Sequence, residues 1–147
     1  MNQVVRRAIV VLCFCIATLS LATAQVPTKE GAVQRIVLVH LNAGHGDAFW
    51  ADMKKNVQPL WDAQKAAGLI LDYEWFVNMT TSSPDDWNVG YSLIYKNMAA
   101  LDGLPDKVYD LRMKHYGDQA AEQKVIDKRV ENAHVVSSSL IREVSIR

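Results

Sequence analysis

The chain has 147 residues, half of them hydrophobic, and sets 16 basic against 16 acidic side chains. That length holds one domain with one core, and the even charge gives no electrostatic ground for nucleic acid or an anionic membrane as partner. Only two cysteines occur, Cys13 and Cys15, so everything after them lacks the means for a disulfide or a thiolate metal site.

The first 24 residues read as a cleaved export leader. Arg6 and Arg7 precede an apolar run from Ala8 to Leu21, and Ala22-Thr23-Ala24 has the small-x-small form that signal peptidases cut. The run is shorter than the roughly 20 apolar residues a membrane-spanning helix needs, and neither cysteine sits where a lipid-anchored one would. The expectation is a secreted or periplasmic protein cut after Ala24, with no membrane association once the leader is gone. Setting the two leader arginines aside leaves the mature chain about two charges negative. Residues 25–33, with Pro27 and Gly31, read as a flexible lead-in, and 34–147 as the folded domain.

Arg35 to Leu41, Arg-Ile-Val-Leu-Val-His-Leu, predicts a central strand: it is short, rich in branched aliphatics and apolar on both alternating faces, which requires cover on both sides. Asn42 to Asp47 is a Gly-containing loop in which Asp47 is placed to cap the next helix. From Ala48 to Ala67, Trp50, Met53, Val57, Leu60 or Trp61, and Gln64 recur at helical spacing; Pro59 bends this helix and Gly68 ends it. Leu69 to Asn78 alternates, putting Tyr73, Trp75 and Val77 on one face and Asp72, Glu74 and Phe76 on the other, as an edge strand does. A polar turn leads to a second alternating run, Asn88 to Lys96, completing a hairpin. Pro105 opens a helix, Gly117-Asp118 interrupts it, and Gln119 to His134 forms another. Ser137 to Ser139 breaks the pattern before a last strand, Leu140 to Ile146.

The order β-α-β-β-α-β is the ferredoxin-like arrangement, a four-stranded antiparallel sheet with its helices on one face. Those helices cover one side of a strand that is apolar on both. A second copy of the same sheet is the economical cover, which predicts an isologous homodimer.

Element order, together with Gln58-Pro59-Leu60-Trp61-Asp62-Ala63-Gln64-Lys65-Ala66-Ala67-Gly68-Leu69-Ile70 running from helix into aromatic-rich strand, resembles the dimeric α+β barrel superfamily, and the resemblance spans about Gln34 to Arg147. It implies two ferredoxin-like sheets face to face, as in antibiotic-biosynthesis-type monooxygenases and stress-responsive proteins. Activities across that superfamily include cofactor-independent oxygenation, lactone isomerisation and haem breakdown, and fold alone does not choose among them. The haem-degrading branch is similar in having an Asn after the first strand, here Asn42, and a helical His, here His115. The Trp that branch carries after its third strand has no counterpart in Met98 to Leu104.

Candidate site residues follow from side-chain chemistry. His40 and His115 are the candidate catalytic groups, because imidazole exchanges a proton near neutral pH. Trp50, Tyr73, Trp75, Tyr91 and Tyr95 share a face with Met53 and are the candidate lining for a planar or aromatic small molecule. His40, His45 and Asp47 match no closed metal pattern, so no metal is expected. Asp72 and Glu74 read as solvent-facing or as partners of Arg142 across the sheet; His134 is a lone helical imidazole, and Asn78-Met79-Thr80 is a formal glycosylation sequon. No phosphate loop, nucleophile elbow or cofactor motif is present. The expectation is an exported homodimer that binds a small molecule, as a cofactor-independent oxygenase or isomerase, with a non-catalytic binding module and a haem protein as the alternatives.

Overall fold

The structure, a computed structural model, describes residues 28–146. The leader, its cut after Ala24, and the lead-in as far as Pro27 lie outside the described residues. In chain order the elements are β1 (Thr28–Leu41), α1 (Gly46–Asp52), a π-helical segment (Met53–Val57), α2 (Gln58–Ala66), β2 (Asp72–Val77), β3 (Val89–Tyr95), a 3-10 turn (Met98–Leu101), α3 (Leu104–Tyr116), α4 (Gln119–Asn132) and β4 (Ala133–Ile146). Glu30–Ser145 makes one compact unit.

The sheet runs β2-β3-β1-β4. β3 is antiparallel to both β1 and β2, with Val37 opposite Tyr91 and Trp75 opposite Tyr91 on its other side. β4 lies antiparallel to β1: Asn42 N–H donates to Asn132 O at 2.9 Å at one end, and Gly31 lies against Glu143 at the other. With helices forming both crossovers, this is the ferredoxin-like α+β fold. β1 is interior and β2 an edge, as their residue patterns require.

Side-chain parity assigns the faces. Odd-numbered strand residues, among them Val33, Val37, Val39, Val89 and Tyr95, join Phe49, Met53, Val57 and Trp61 from the first helical layer in the core. Even-numbered residues take the other face, and the stacking of His40 on His134 places the even residues of β4 with them. Ile36, Leu38, Phe76, Ile94, Val136 and Leu140 thus form an apolar surface that no helix among the described residues covers. Val136 is 45% exposed and Leu140 42%.

Several local expectations change. β1 begins at Thr28, inside the predicted lead-in, because β4 is equally long and supplies a ladder for it. Ser137 to Ser139 does not break the last strand: paired with β1, β4 runs 14 residues through the serines, since pairing outweighs their weak strand preference. Asp47 is not the cap. His45 occupies that position, makes no side-chain cap bond, and leaves Asp47 to the helix's positive first turn. Arg142 pairs with Glu30 on neighbouring β1, and Asp72 with Lys65 at 2.7 Å, because β4 and β2 are opposite edges.

The first helix buries Phe49, Met53, Val57 and Trp61, a constant four-residue spacing. In an α-helix each such step overshoots a turn by roughly 40°, so the stripe drifts away from the sheet. The π segment, where Gln58 N–H reaches back to Met53 O, widens one turn and returns the stripe to the core just before Pro59. Phe49 therefore points inward and Trp50, expected inside, is 38% exposed.

On the uncovered face the Phe76 ring lies over Gly90, its cross-strand partner, and a Cβ added there would sit 2.0 Å from the ring. Gly90→Ala is expected to destabilise the chain by about 1–3 kcal/mol through displacement of the ring. Chemical denaturation checks it; with Phe76→Leu already in place, the same change should cost less.

Candidate functional site

A cavity of about 540 Å³ lies between the sheet and the helices, within the ordinary size range for small-molecule sites. Its floor is Val39 and Tyr91 from the sheet; Phe49, Met53, Val57, Leu60 and Trp61 supply one wall, and Val108, Ile126 and Val130 from α3 and α4 the other. Ala133, His134 and Val135, where α4 passes into β4, complete the lining. The cavity exists because α3 and α4 present few apolar side chains: α3 buries no residue fully, so this half of the helical layer stands off the sheet.

Two ion pairs border the apolar space. Arg112 on α3 grips Glu122 on α4 through two bonds, Nε to Oε1 at 2.5 Å and Nη2 to Oε2 at 2.6 Å, and Glu122 is buried. Arg129 Nε donates to Asp52 Oδ2 at 2.6 Å, while Asp52 Oδ1 accepts from Asn56 Nδ2 at 2.7 Å. Burial pulls the Arg129 guanidinium toward the neutral form, but the bond and charge of Asp52 together with Tyr116 outweigh it and hold the group charged. Arg129 Nη2 is enclosed and has no hydrogen-bond partner among the described residues. The Tyr116 hydroxyl donates to Asn56 O at 3.3 Å, occupying a carbonyl within the π segment.

Each positive charge on the lining has its own carboxylate, so the cavity carries no unpaired charge. Burial pushes the Tyr91 phenol up, with Arg129 and Arg35 opposing, so Tyr91 faces the cavity as a neutral hydroxyl. Gln64 is 6% exposed and also faces the cavity. Its backbone carbonyl accepts from Leu69 N–H at 2.9 Å.

Of the five aromatic residues expected to bind ligand, Tyr91 lines the cavity. Trp75 stands behind it in an aromatic stack: Trp61 to Trp75 is 4.7 Å between ring centres at 30°, and Trp61 to Tyr91 is 4.9 Å. Trp50 meets the outer edge of Trp75 at 5.5 Å. Tyr73 donates its hydroxyl to Asp62 at 2.7 Å near the surface, and this bond raises the phenol pKa. Tyr95 is core, packed beside Val33.

His40 Nδ1 bonds the Asp86 carbonyl at 2.7 Å, and its ring lies 5.0 Å from that of His134. The structure thus places the His40 ring on the sheet face opposite the cavity, with the His134 ring beside it. His115 is exposed and packs edge-on against Tyr116. His45 bonds Asn132 Oδ1 at 2.8 Å, and Asn42 Nδ2 donates to Glu131 O at 2.8 Å; both tie the loop to the end of α4. Among the described residues no three of His, Cys, Asp and Glu gather as a metal site, and no helix is long and apolar enough to cross a membrane.

Trp61, Gln64, Tyr116 and Arg129 were not among the expected site residues. For Gln64 a signal existed: an amide at an apolar position of the helical stripe. Arg129 and Tyr116 gave none, since the approach of α4 and α3 to the π segment is a tertiary event.

The geometry defines a ferredoxin-like α+β subunit with an internal pocket between its layers. No protein-family model and no curated protein matches the chain. Among solved structures it is similar to a dimeric ferredoxin-like protein from an uncultured marine organism, at 13% identity and a TM-score of 0.47, over 81% of this chain and 98% of that one. It is also similar to HapK from Hahella chejuensis, at 15% identity and 0.45 over 76% and 91%. An EthD-like protein from Ralstonia eutropha matches at 11% and 0.37 over 80% and 92%.

Proposed function

We propose that this is an exported homodimer, each subunit of which binds a small, planar and mainly apolar molecule in the cavity between sheet and helices. The observation that supports ligand binding is the cavity itself: about 540 Å³ walled by Trp61, Tyr91, Phe49 and aliphatic side chains, with its bordering charges already paired. Such a space is expensive to leave without contacts and suits an apolar guest. Support for the dimer is the uncovered apolar sheet face around Ile36, Leu38 and Phe76. Support for export is the leader pattern ending at Ala24.

A recognition role needs nothing further. An oxygenase or isomerase role needs a group that moves a proton at the ligand, and the His40 and His134 rings, which meet on the sheet face away from the helices, do not supply it inside the cavity.

Calorimetric titration of the leader-free protein with 2-naphthol tests the binding reading. Saturable binding with one site per chain is expected, and the double variant Val108→Trp, Ile126→Trp, which crowds the cavity with two indoles, should weaken it at least about tenfold. Unchanged affinity in that variant, with the fold intact by circular dichroism, would overturn the cavity as the site.

A further inference from the structure

We infer that the cavity selects a neutral ring compound bearing a hydrogen-bonding oxygen, and that the Gln64 carboxamide and the Tyr91 hydroxyl are the groups that read that oxygen. The inference rests on the binding reading above and names the ligand class for the same site.

Both side chains face a cavity whose other walls are largely hydrocarbon. Gln64 is more than nine-tenths buried, on α2 three residues after the buried Trp61, and its carboxamide has no hydrogen-bond partner among the described residues. The hydroxyl of Tyr91 likewise has none, whereas those of Tyr73 and Tyr116 each do. An amide and a phenol that border an apolar cavity and make no bond to a described residue are free to bond a guest, and such a bond is stronger there than in water.

The same lining excludes a charged guest. Arg112 and Arg129 are each committed to a carboxylate, so an anion entering the cavity loses its water and finds no free cation. Amide and phenol both donate and accept, which matches a ketone or a phenol. Arg129 Nη2, which has no partner among the described residues, is enclosed by protein and not exposed on the cavity surface.

The test uses four naphthalenes of similar shape on the leader-free protein: 2-acetonaphthone, 2-naphthol, 2-ethylnaphthalene and 2-naphthoate. The two neutral oxygenated probes are expected to bind about tenfold or more tighter than the hydrocarbon, and the carboxylate more weakly than either. In Gln64→Leu and in Tyr91→Phe the oxygenated probes should lose most of that advantage while 2-ethylnaphthalene keeps its affinity. Should all four fail to bind, the binding reading falls and this inference with it. If the hydrocarbon binds as well as the ketone and phenol, or the advantage survives both substitutions, the cavity remains a site and the assignment to Gln64 and Tyr91 is wrong. Tightest binding by 2-naphthoate overturns the neutral class.

Discussion

Trp61→Ala is expected to lower the folding free energy by about 3–5 kcal/mol, the range for truncating a buried aromatic. The indole is 7% exposed, stacks on Trp75 and packs against Tyr73 and Tyr91. Its removal would open the existing cavity into the aromatic stack, so relaxation has little to fill the space with, and the cost should fall at the upper part of that range. Trp50→Ala is the comparison, since Trp50 touches the same stack from outside; it should cost no more than about 1.5 kcal/mol. Urea denaturation at one fixed protein concentration measures both, because stability shared with a dimer varies with concentration. Equal effects for the two tryptophans would mean that the stack is not the centre of this half of the core.

Leu38→Glu is expected to convert the protein from dimer to monomer. Leu38 stands on β1 beside Gly90 of β3, on the face that carries Phe76, Ile36 and Ile94. A carboxylate there would be enclosed by apolar surface in the pair of sheets, and its desolvation should raise the dissociation constant at least about a hundredfold. In the separated chain the same residue is only half-buried, so the subunit itself should tolerate the change. Sedimentation equilibrium at micromolar protein is the measurement, with Met79→Glu, an exposed loop position, as the control. A wild-type chain that sediments as a stable monomer would remove the dimer. The ligand cavity would survive that result, since all its lining comes from a single chain.

The two expectations concern opposite faces of one sheet, and the difference between the faces explains how the fold could be read. Strand residues alternate, so Val37 and Val39 against Ile36 and Leu38 disclosed a strand greasy on both sides. The hairpin, the helix stop at Gly68, which adopts φ of 69°, and the break at Gly117 are local events with local chemical causes. These fixed the element order, and with it the ferredoxin-like topology.

Where the site lies was less legible. Aromatic side chains on one face suggested a lining, yet most of that group packs on itself, and the cavity opens beside it where α3 and α4 stand away from the sheet. The turn that brings Phe49 inward and sends Trp50 outward depends on the π segment before Pro59, a detail of hydrogen bonding that helical periodicity at 3.6 residues does not contain. The serine run in β4 looked like a break because serine prefers turns; a 14-residue partner strand overrode that preference.

The sequence by itself determined the elements, their order and the two-sided apolar character of β1, because those depend on residues near one another in the chain. Tertiary structure alone decided that Arg129 meets Asp52, that Arg112 meets Glu122, and that Gln64 and Tyr91 face one space. Such meetings depend on how closely helices settle on a sheet, which is set by the summed volumes of side chains far apart in the chain.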